Sequence, residues 1–233
     1  YEVFLHLCGM KRLILVAALL LSGLSALAGE PFFCLQTGRT LYYERTKPFG
    51  GRLERTTTMR IGAVTSSGSG RHVEYLFLLQ GPDGKDLYGG EAPMSTEIAA
   101  DGSVQVDVGA QLAAVLHNLF PNATLRSEGR PAVLPAVMRP GDRLPDAHCS
   151  VSTGMLTYTV DITEREVLRE ESINVPAGCF DCVVVREHKV ERGPGRNRNT
   201  FSDSWYAPGV GYVRHDTYDR NMRLDTTEVL KKY

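Results

Sequence analysis

The second half of the chain alternates apolar and polar residues in consecutive runs that are separated by short turns. Residues 155–162, 167–175 and 179–191 are three such runs, and Pro176-Ala177-Gly178 is one of the turns. Alternation with a period of two gives a strand one apolar face. Consecutive strands joined by short turns pair antiparallel, because a parallel crossover needs about a dozen residues or more. The pattern predicts an antiparallel meander, which continues through residues 201–206, 211–218 and 223–230.

The first half shows the same alternation with one interruption. Residues 111–120 place leucine and valine at helical spacing, so they predict one short helix, which Pro121 ends. Residues 121–145 contain five prolines and no sustained period, and they predict a long connection laid against the sheet. We therefore predict an all-β fold, a curved antiparallel sheet or open barrel. Its other strands in this half are predicted at residues 41–45, 54–64, 72–80 and 103–109.

An export signal precedes the strand-rich region. Met10-Lys11-Arg12 is basic, residues 13–21 are apolar, and Ser25-Ala26-Leu27-Ala28 ends in an A-x-A site. These three parts are typical of a secretory signal peptide. We expect residues 1–9 to be upstream non-native translation, residues 10–28 to be the signal peptide, and residues 29–233 to form a single β-rich domain.

Cleavage near Ala28 predicts a periplasmic or outer-envelope-associated protein. Its membrane contact would then be the transient one of the signal peptide. An uncleaved anchor is the less favoured alternative, because the apolar stretch is shorter than the ~20 residues needed to span a bilayer. Lipid attachment needs a cysteine at the cleavage point, and Cys34 lies too far downstream.

The charge balance argues against one class of partner. The chain has 26 basic and 27 acidic side chains, with a formal net charge of −1. Nucleic-acid binding requires a basic surface, so we expect no nucleic-acid partner.

Four cysteines follow the predicted cleavage site. An even number in an oxidising compartment favours two disulfides, with three connectivities open, and buried free thiols are the alternative. Cys179 and Cys182 have the C-x-x-C spacing of redox pairs, but the β-branched Val183-Val184-Val185 that follows favours a strand. In a strand these two residues lie about 10 Å apart, too far for one bond. The disulfide candidates are Cys34, Cys149, Cys179 and Cys182.

A zinc site is a weaker alternative for the same residues. Cys179, Cys182, Cys149 and His148 supply suitable ligand atoms, but the second pair lacks the usual ligand spacing. We therefore predict no metal and no cofactor.

Three motifs in the second half resemble a known family. They are Gly141-Asp142-Arg143-Leu144-Pro145-Asp146-Ala147, Val175-Pro176-Ala177-Gly178-Cys179-Phe180-Asp181-Cys182 and Trp205-Tyr206-Ala207-Pro208-Gly209-Val210-Gly211. They are similar to motifs of exported Gram-negative proteins known as domains of unknown function. The resemblance implies an antiparallel β fold, similar in style to the half-barrels of periplasmic lipoprotein carriers, and it implies no reaction. Cys182 matches a family cysteine, whereas the other three are additions.

The sequence contains no established catalytic motif. Ser66-Ser67-Gly68-Ser69-Gly70 lacks the first glycine of a nucleophile elbow, and no phosphate-binding loop or H-E-x-x-H is present. A dyad of His188 or His215 with an aspartate is the remaining enzymatic option, and its aspartate candidates are Asp181, Asp203 and Asp216.

Two functional hypotheses follow. The first is a non-enzymatic binding, carrier or adaptor domain, whose partner is an apolar small molecule, a lipid or an envelope protein. A curved sheet with one apolar face must either fill that face or hold a ligand in it. The second is an envelope enzyme that acts by thiol-disulfide exchange or hydrolysis. The residues expected to form the ligand groove are Leu112, Val115, Leu116, Leu119, Trp205 and Tyr206.

Overall fold

Thirteen strands pair in one antiparallel sheet across residues 29–233, the part of the chain that the computed structural model describes. The predicted signal peptide, the residues before it and Cys8 lie outside that part. One helix, α1 (Val108–Leu119), lies between the fifth and sixth strands. The strands are β1 (Thr40–Thr46), β2 (Leu53–Ser67), β3 (Gly70–Gln80), β4 (Ala92–Ile98), β5 (Val104–Val106), β6 (Arg126–Arg130), β7 (Ala132–Leu134), β8 (Ala147–Ser152), β9 (Thr157–Val175), β10 (Gly178–Gly193), β11 (Arg196–Ala207), β12 (Gly211–Tyr218) and β13 (Leu224–Lys232).

The sheet curls into a nearly closed barrel. Its strand order is β6-β8-β9-β10-β11-β12-β13-β1-β2-β3-β4-β5-β7, so β6 and β7 form its two edges. Only Pro131 separates these two strands in the chain, which holds the edges side by side. The all-β prediction of a curved sheet or open barrel is confirmed.

Two-residue turns connect the longest strands. Val175 pairs with Gly178, so Pro176-Ala177 forms the whole turn between β9 and β10. Gly193 pairs with Arg196 at the next turn, where Gly195 has a φ of 69°. Glycine adopts this positive φ without steric cost, and at the first turn the positive φ belongs to Gly178, directly after Ala177. These turns lie where the sequence predicted them.

β9 is one strand of 19 residues instead of two separate runs. Its register with β10 shifts where Arg186 pairs with Glu166 and His188 pairs with Thr163. Glu164 has a φ of 53°, so the chain bulges at this point and then continues in the sheet. The alternation breaks at the bulge, as the sequence indicated.

Helix α1 begins three residues before its predicted start and closes the gap between the sheet edges. The Asp107 carboxylate accepts a hydrogen bond from the Ala110 backbone N–H at 2.8 Å, which caps the first turn. The helix packs on β4, β6 and β8. A Cβ on Gly109 would lie 2.4 Å from Ser127 Oγ and 3.2 Å from Cys149 Cβ, so glycine permits this close approach.

Residues 121–145 are not simply a connection, because they contain both edge strands. All five residues of β6 are exposed, and β7 has only three residues. Neither strand therefore carries an alternating apolar pattern long enough to predict it.

Two apolar clusters form the core. The larger cluster includes the fully buried Leu41, Ile61, Val73 and Leu230. The smaller cluster lies near α1 and contains Ala132, Ala147, Cys149, Val160 and Ile162, with Leu112 packed against it. Among residues 29–233, no helix has the length and apolar character needed to cross a membrane.

Candidate functional site

A row of polar side chains crosses the inner face of five neighbouring strands. Ser204 pairs with His215, His215 with Glu228, Glu228 with Arg45, and Arg45 with Arg55. The row shares its face with the fully buried Leu41 and Leu230. We call these five residues the interior polar row.

Hydrogen bonds satisfy most of this row. Glu228, only 3% exposed, accepts from Thr57 Oγ1 at 2.6 Å and from Arg55 Nη2 at 3.3 Å. Burial alone would raise the pKa of Glu228, but Arg55, Thr57 and Arg45 together lower the pKa below its ordinary value. Glu228 is therefore ionised. It compensates Arg55, whose side chain is 26% exposed, and shares the buried Arg45 with Glu54, whose Oε2 lies 3.4 Å from Arg45 Nε.

Arg45 binds hydroxyl groups. Its Nε donates to Thr226 Oγ1 at 2.8 Å, and its Nη2 donates to Thr217 Oγ1 at 2.7 Å. Burial and the facing Arg55 lower the pKa of Arg45. The row is thus a paired polar network inside the barrel, with its charges directed at neighbouring strands.

His215 meets a serine in this row. Its Nδ1 lies 2.8 Å from Ser204 Oγ. Burial, reinforced by Lys189, lowers the pKa of His215 to about 3, so the ring is neutral at physiological pH. The pair resembles a nucleophile and its base, but Ser204 is only 3% exposed and a substrate cannot reach its hydroxyl.

The predicted histidine–aspartate dyads do not form in the described part of the chain. His188 instead lies with its Nε2 2.7 Å from Asn199 Oδ1, and its ring stacks on Phe201. The aspartates bind other residues: Asp203 accepts from Arg186, Asp216 accepts from Arg214, and Asp181 accepts from Ser172. Asp203 directly precedes Ser204, and Asp216 directly follows His215. Because neighbouring side chains of a strand point to opposite faces, both aspartates face away from the interior polar row.

The four cysteines are free thiols, so the predicted disulfides are not present. Cys34, Cys149 and Cys182 are buried, and Cys179 is exposed. Cys179 and Cys182 both lie on β10, which confirms that a strand carries them. Burial raises the pKa of Cys182 to about 12, whereas a reactive thiol requires a lowered pKa. Among residues 29–233 no three metal-ligating side chains cluster.

The six predicted groove residues do not converge. On α1, Leu116 is buried, Leu112 and Val115 are partly buried, and Leu119 is 44% exposed. These four help the helix to cover the gap between the sheet edges. The other two, Trp205 and Tyr206, are consecutive residues of β11, so their side chains point to opposite faces.

Trp205 is 5% exposed, belongs to the larger apolar cluster and is also bound by charged side chains on its face of β11. Its indole N–H donates to Glu171 Oε2 at 2.9 Å, which lowers the pKa of that carboxyl group. The guanidinium groups of Arg169 and Arg214 lie over its ring. Tyr206 is on the other face, where burial raises its pKa to about 12. Neither aromatic ring is free to bind a ligand.

A cleft of about 460 Å³ opens beside the first turn of α1, and we call it the helix cleft. It adjoins the bulge of β2, where the register shifts between Ile61 and Val64. Tyr75 OH accepts a hydrogen bond from Gln111 Nε2 at 2.9 Å and ties the helix to β3. The apolar walls of the helix cleft come from Tyr75, Leu76, Pro93, Met94 and Ala110. The polar atoms at its rim come from His72, Glu74, Ser95 and Gln111.

A second cleft of about 520 Å³ lies where residues 139–146 pack against the bulge of β9, and we call it the loop cleft. Leu144 N–H donates to Arg165 O at 2.9 Å, and Val167 N–H donates to Asp142 O at 2.9 Å, so the loop is held like a short extra strand. The lining is mostly charged and consists of Arg143, Leu144, Asp146, Thr163, Glu164, Arg165, Glu166, Arg186 and Phe201.

These features define a nearly closed antiparallel barrel with a filled, partly polar interior and two surface clefts. A sequence profile described as DUF3108-like matches residues 36–230. The chain belongs to the DUF3108-like family, which agrees with the resemblance found in its sequence.

Two solved structures share the fold. A candidate exported protein with a YmcC-like fold from Bacteroides fragilis NCTC 9343 is 23% identical, with a TM-score of 0.70 over 87% of this chain and 98% of its own. A candidate lipoprotein from Parabacteroides distasonis ATCC 8503 is 21% identical, with a TM-score of 0.70 over 88% of this chain and 98% of its own. No curated protein sequence matches the chain.

Sequence reasoning missed the residues that define both the polar interior and the clefts. Arg45 and Glu228 lie two positions from the buried Tyr43 and Leu230, so they share the inner face of their strands, but the sequence analysis did not single them out. The helix cleft depends on the bulge of β2, and the Gly62-Ala63 pair inside an otherwise β-branched run was the available indication.

Proposed function

We propose that the mature chain is a non-enzymatic binding domain of the bacterial envelope, which carries an apolar small molecule in the helix cleft. Its family and fold are those of candidate exported proteins and lipoproteins. The signal peptide in its sequence supports a periplasmic or outer-envelope location. The domain would act as a carrier, or as an adaptor that responds to the bound molecule.

The apolar lining of the helix cleft carries this proposal. Its volume falls within the range of about 300–1,000 Å³ that is usual for small-molecule sites. Leu76, Pro93 and Met94 offer apolar surface, and Gln111 supplies a polar group at the rim. An apolar ligand gains about 25 cal/mol for each Å² of apolar surface that it removes from water. The barrel interior offers no comparable site, since the core and the interior polar row fill it.

The chemistry of the nucleophile candidates supports binding over reaction. Ser204 is buried next to a neutral histidine, and the thiol of Cys182 is buried with a raised pKa. Neither group lines the helix cleft or the loop cleft. A bound molecule therefore meets no activated nucleophile in either place.

Titration with anilinonaphthalene sulfonate, a fluorescent apolar probe, tests the site. Ala110→Trp should fill the cleft from the helix and weaken probe binding about tenfold, because the indole occupies the ligand volume. His117→Trp places the same side chain on an exposed position of α1 that does not line the cleft, and it should leave binding unchanged. Equal binding by both variants would remove the helix cleft as the site.

Mass spectrometry of the protein purified from the envelope tests the wider proposal. We expect an N-terminus that begins after Ala28 and a co-purifying apolar molecule that Ala110→Trp displaces. An intact signal segment in the mature protein would contradict the proposed location.

A further inference from the structure

The loop cleft carries charges that the proposed function does not use. Three arginines and three carboxylates line it, and two of the arginines are already engaged. Arg186 binds Asp203 through two hydrogen bonds of 2.7 Å, and Arg165 binds backbone carbonyl groups. Within residues 29–233, no ion pair forms at Arg143, Asp146 or Glu166.

Two of these uncommitted charges are held next to each other without pairing. Arg143 and Glu166 face each other in an isolated antiparallel bridge, where opposite charges normally attract. Their side chains nevertheless line the cleft as separate groups. A ligand that bears both signs of charge would satisfy both groups at once.

Arg165 forms the closed floor of the cleft and leaves Arg143 as its available guanidinium group. Its side chain is 2% exposed, and its Nη1 donates to Val133 O at 3.1 Å and to Pro145 O at 2.8 Å. Its Nε lies 3.5 Å from a carboxylate oxygen of Glu187, which pairs with its charge. A ligand in the cleft therefore meets the exposed Arg143 as its free cation.

We propose that the loop cleft binds a short peptide with free amino and carboxyl termini. The carboxylate would lie against Arg143, because a guanidinium group recognises carboxylates through directed hydrogen bonds. The ammonium group would lie between Asp146 and Glu166. Phe201 supplies an apolar wall for a side chain of the peptide, and about 520 Å³ accommodates two or three residues.

Isothermal titration with trialanine tests this assignment. Free trialanine should bind, and N-acetyl-trialanine and trialanine amide should each bind about tenfold more weakly, since each lacks one of the charges. Arg143→Met should abolish the difference between trialanine and its amide. Glu166→Gln should reduce the difference between trialanine and its N-acetyl form.

Two matched variants serve as controls. Arg139→Met removes an exposed arginine from the same loop, and Glu170→Gln removes an exposed carboxylate from the same strand, and neither residue lines the cleft. Both should bind trialanine as the parent protein does. The proposal is overturned if trialanine fails to bind at millimolar concentration, if a capped form binds equally well, or if the control variants lose binding to the same extent. Apolar probe binding at the helix cleft should be unaffected by all four substitutions. A failure of peptide binding in the loop cleft is therefore distinguishable from a failure of the proposed function at the helix cleft.

Discussion

Glu228 is the residue on which the polar interior depends. It is only 3% exposed, and its negative charge acts on both Arg45 and Arg55. A buried ion pair adds little net stability compared with apolar residues of the same shape, but breaking one leaves an uncompensated charge. The structure therefore makes the protein sensitive to loss of this one side chain.

Glu228→Gln should lower the free energy of unfolding by about 3 kcal/mol, because Arg55 would lose its paired carboxylate and the buried Arg45 would keep only the partly exposed Glu54. Urea denaturation monitored by circular dichroism measures this change. Glu91→Gln removes an exposed carboxylate that pairs with Arg60 and should change stability by less than about 0.5 kcal/mol. Similar effects for the two substitutions would show that the interior network is not what stabilises the barrel.

The lowered pKa of His215 makes the stability of the protein depend on pH. Its ordinary pKa is 6.5, and in the folded protein the pKa is about 3. Between these values the unfolded chain binds a proton that the folded chain does not, so stability is complete above the ordinary pKa and falls as the pH decreases. The lowered pKa of Glu228 adds a further loss at still lower pH, as the pH falls through its folded value.

The free energy of unfolding should therefore decrease by up to about 1 kcal/mol per pH unit below about pH 6.5. This slope is smaller than the full linkage value because the imidazole is partly solvated. Denaturation curves collected from neutral to mildly acidic pH measure this slope. His215→Gln should flatten it, whereas His117→Gln on the exposed side of α1 should leave it as it is. If the free energy of unfolding of His215→Gln changes with pH as steeply as that of the parent protein, other groups cause the pH dependence.

Helix α1 is the element that completes the barrel. It bridges β4 on one side of the gap and β6 and β8 on the other, and its fit depends on a glycine. In an exposed helix, alanine is more favourable than glycine by about 1 kcal/mol. If Gly109→Ala instead lowers stability, the loss shows that the helix packs closely against Ser127 and Cys149 at this position.

Gly109→Ala should destabilise the protein by about 1 kcal/mol or more, because the added Cβ would meet Ser127 Oγ. In a Ser127→Ala background the same substitution should be close to neutral, since the oxygen in the way is gone. Thermal unfolding of the four-member cycle gives both values. Stabilisation in both backgrounds would mean that α1 does not pack tightly on the edge strands.

The long strands could be predicted from the sequence, whereas several short strands could not. The long hairpins of β9, β10 and β11 were predictable, because alternation extends over many residues and glycine or proline marks each turn. The short edge strands β6 and β7 were not, because β6 is exposed along its whole length. β4 was missed as well, since Ala92–Ile98 contains Pro93 and two hydroxyl residues and lacks a strong apolar period. β8 (Ala147–Ser152) was also missed, and the strand predicted at residues 103–109 is only Val104–Val106, because α1 begins at Val108.

The barrel as a unit is held by the pairing of β13 with β1, which joins the two ends of the described chain. One continuous sheet and one dominant core leave no natural boundary between independently folding parts. A sheet of this kind should unfold in one cooperative step.

Trp205 makes this cooperativity measurable, because it is the only tryptophan in the chain and lies on β11. Its fluorescence and the far-ultraviolet circular dichroism of the entire sheet should change at the same urea concentration. An earlier change in fluorescence would indicate that the β9–β12 region unfolds separately from the rest.

The two clefts show how function in this fold depends on departures from regular pairing. The helix cleft lies at the bulge of β2, and the loop cleft lies at the bulge of β9. Bulges turn side chains away from the regular inside and outside faces of a sheet, and they occur often beside functional sites. Both proposed binding sites therefore belong to the geometry of the closed barrel.

The sequence by itself determined the long strands, the tight turns, the short helix and the expected export. These properties depend on neighbours a few residues apart, through alternation, turn chemistry and the order of charged and apolar segments. Only the tertiary structure decided which charges meet inside the barrel and which residues form the clefts. Ser204, His215, Glu228 and Arg45 come together through cross-strand register, which brings together residues as far as 183 positions apart. Local patterns do not encode that register, because it follows from how the whole sheet closes.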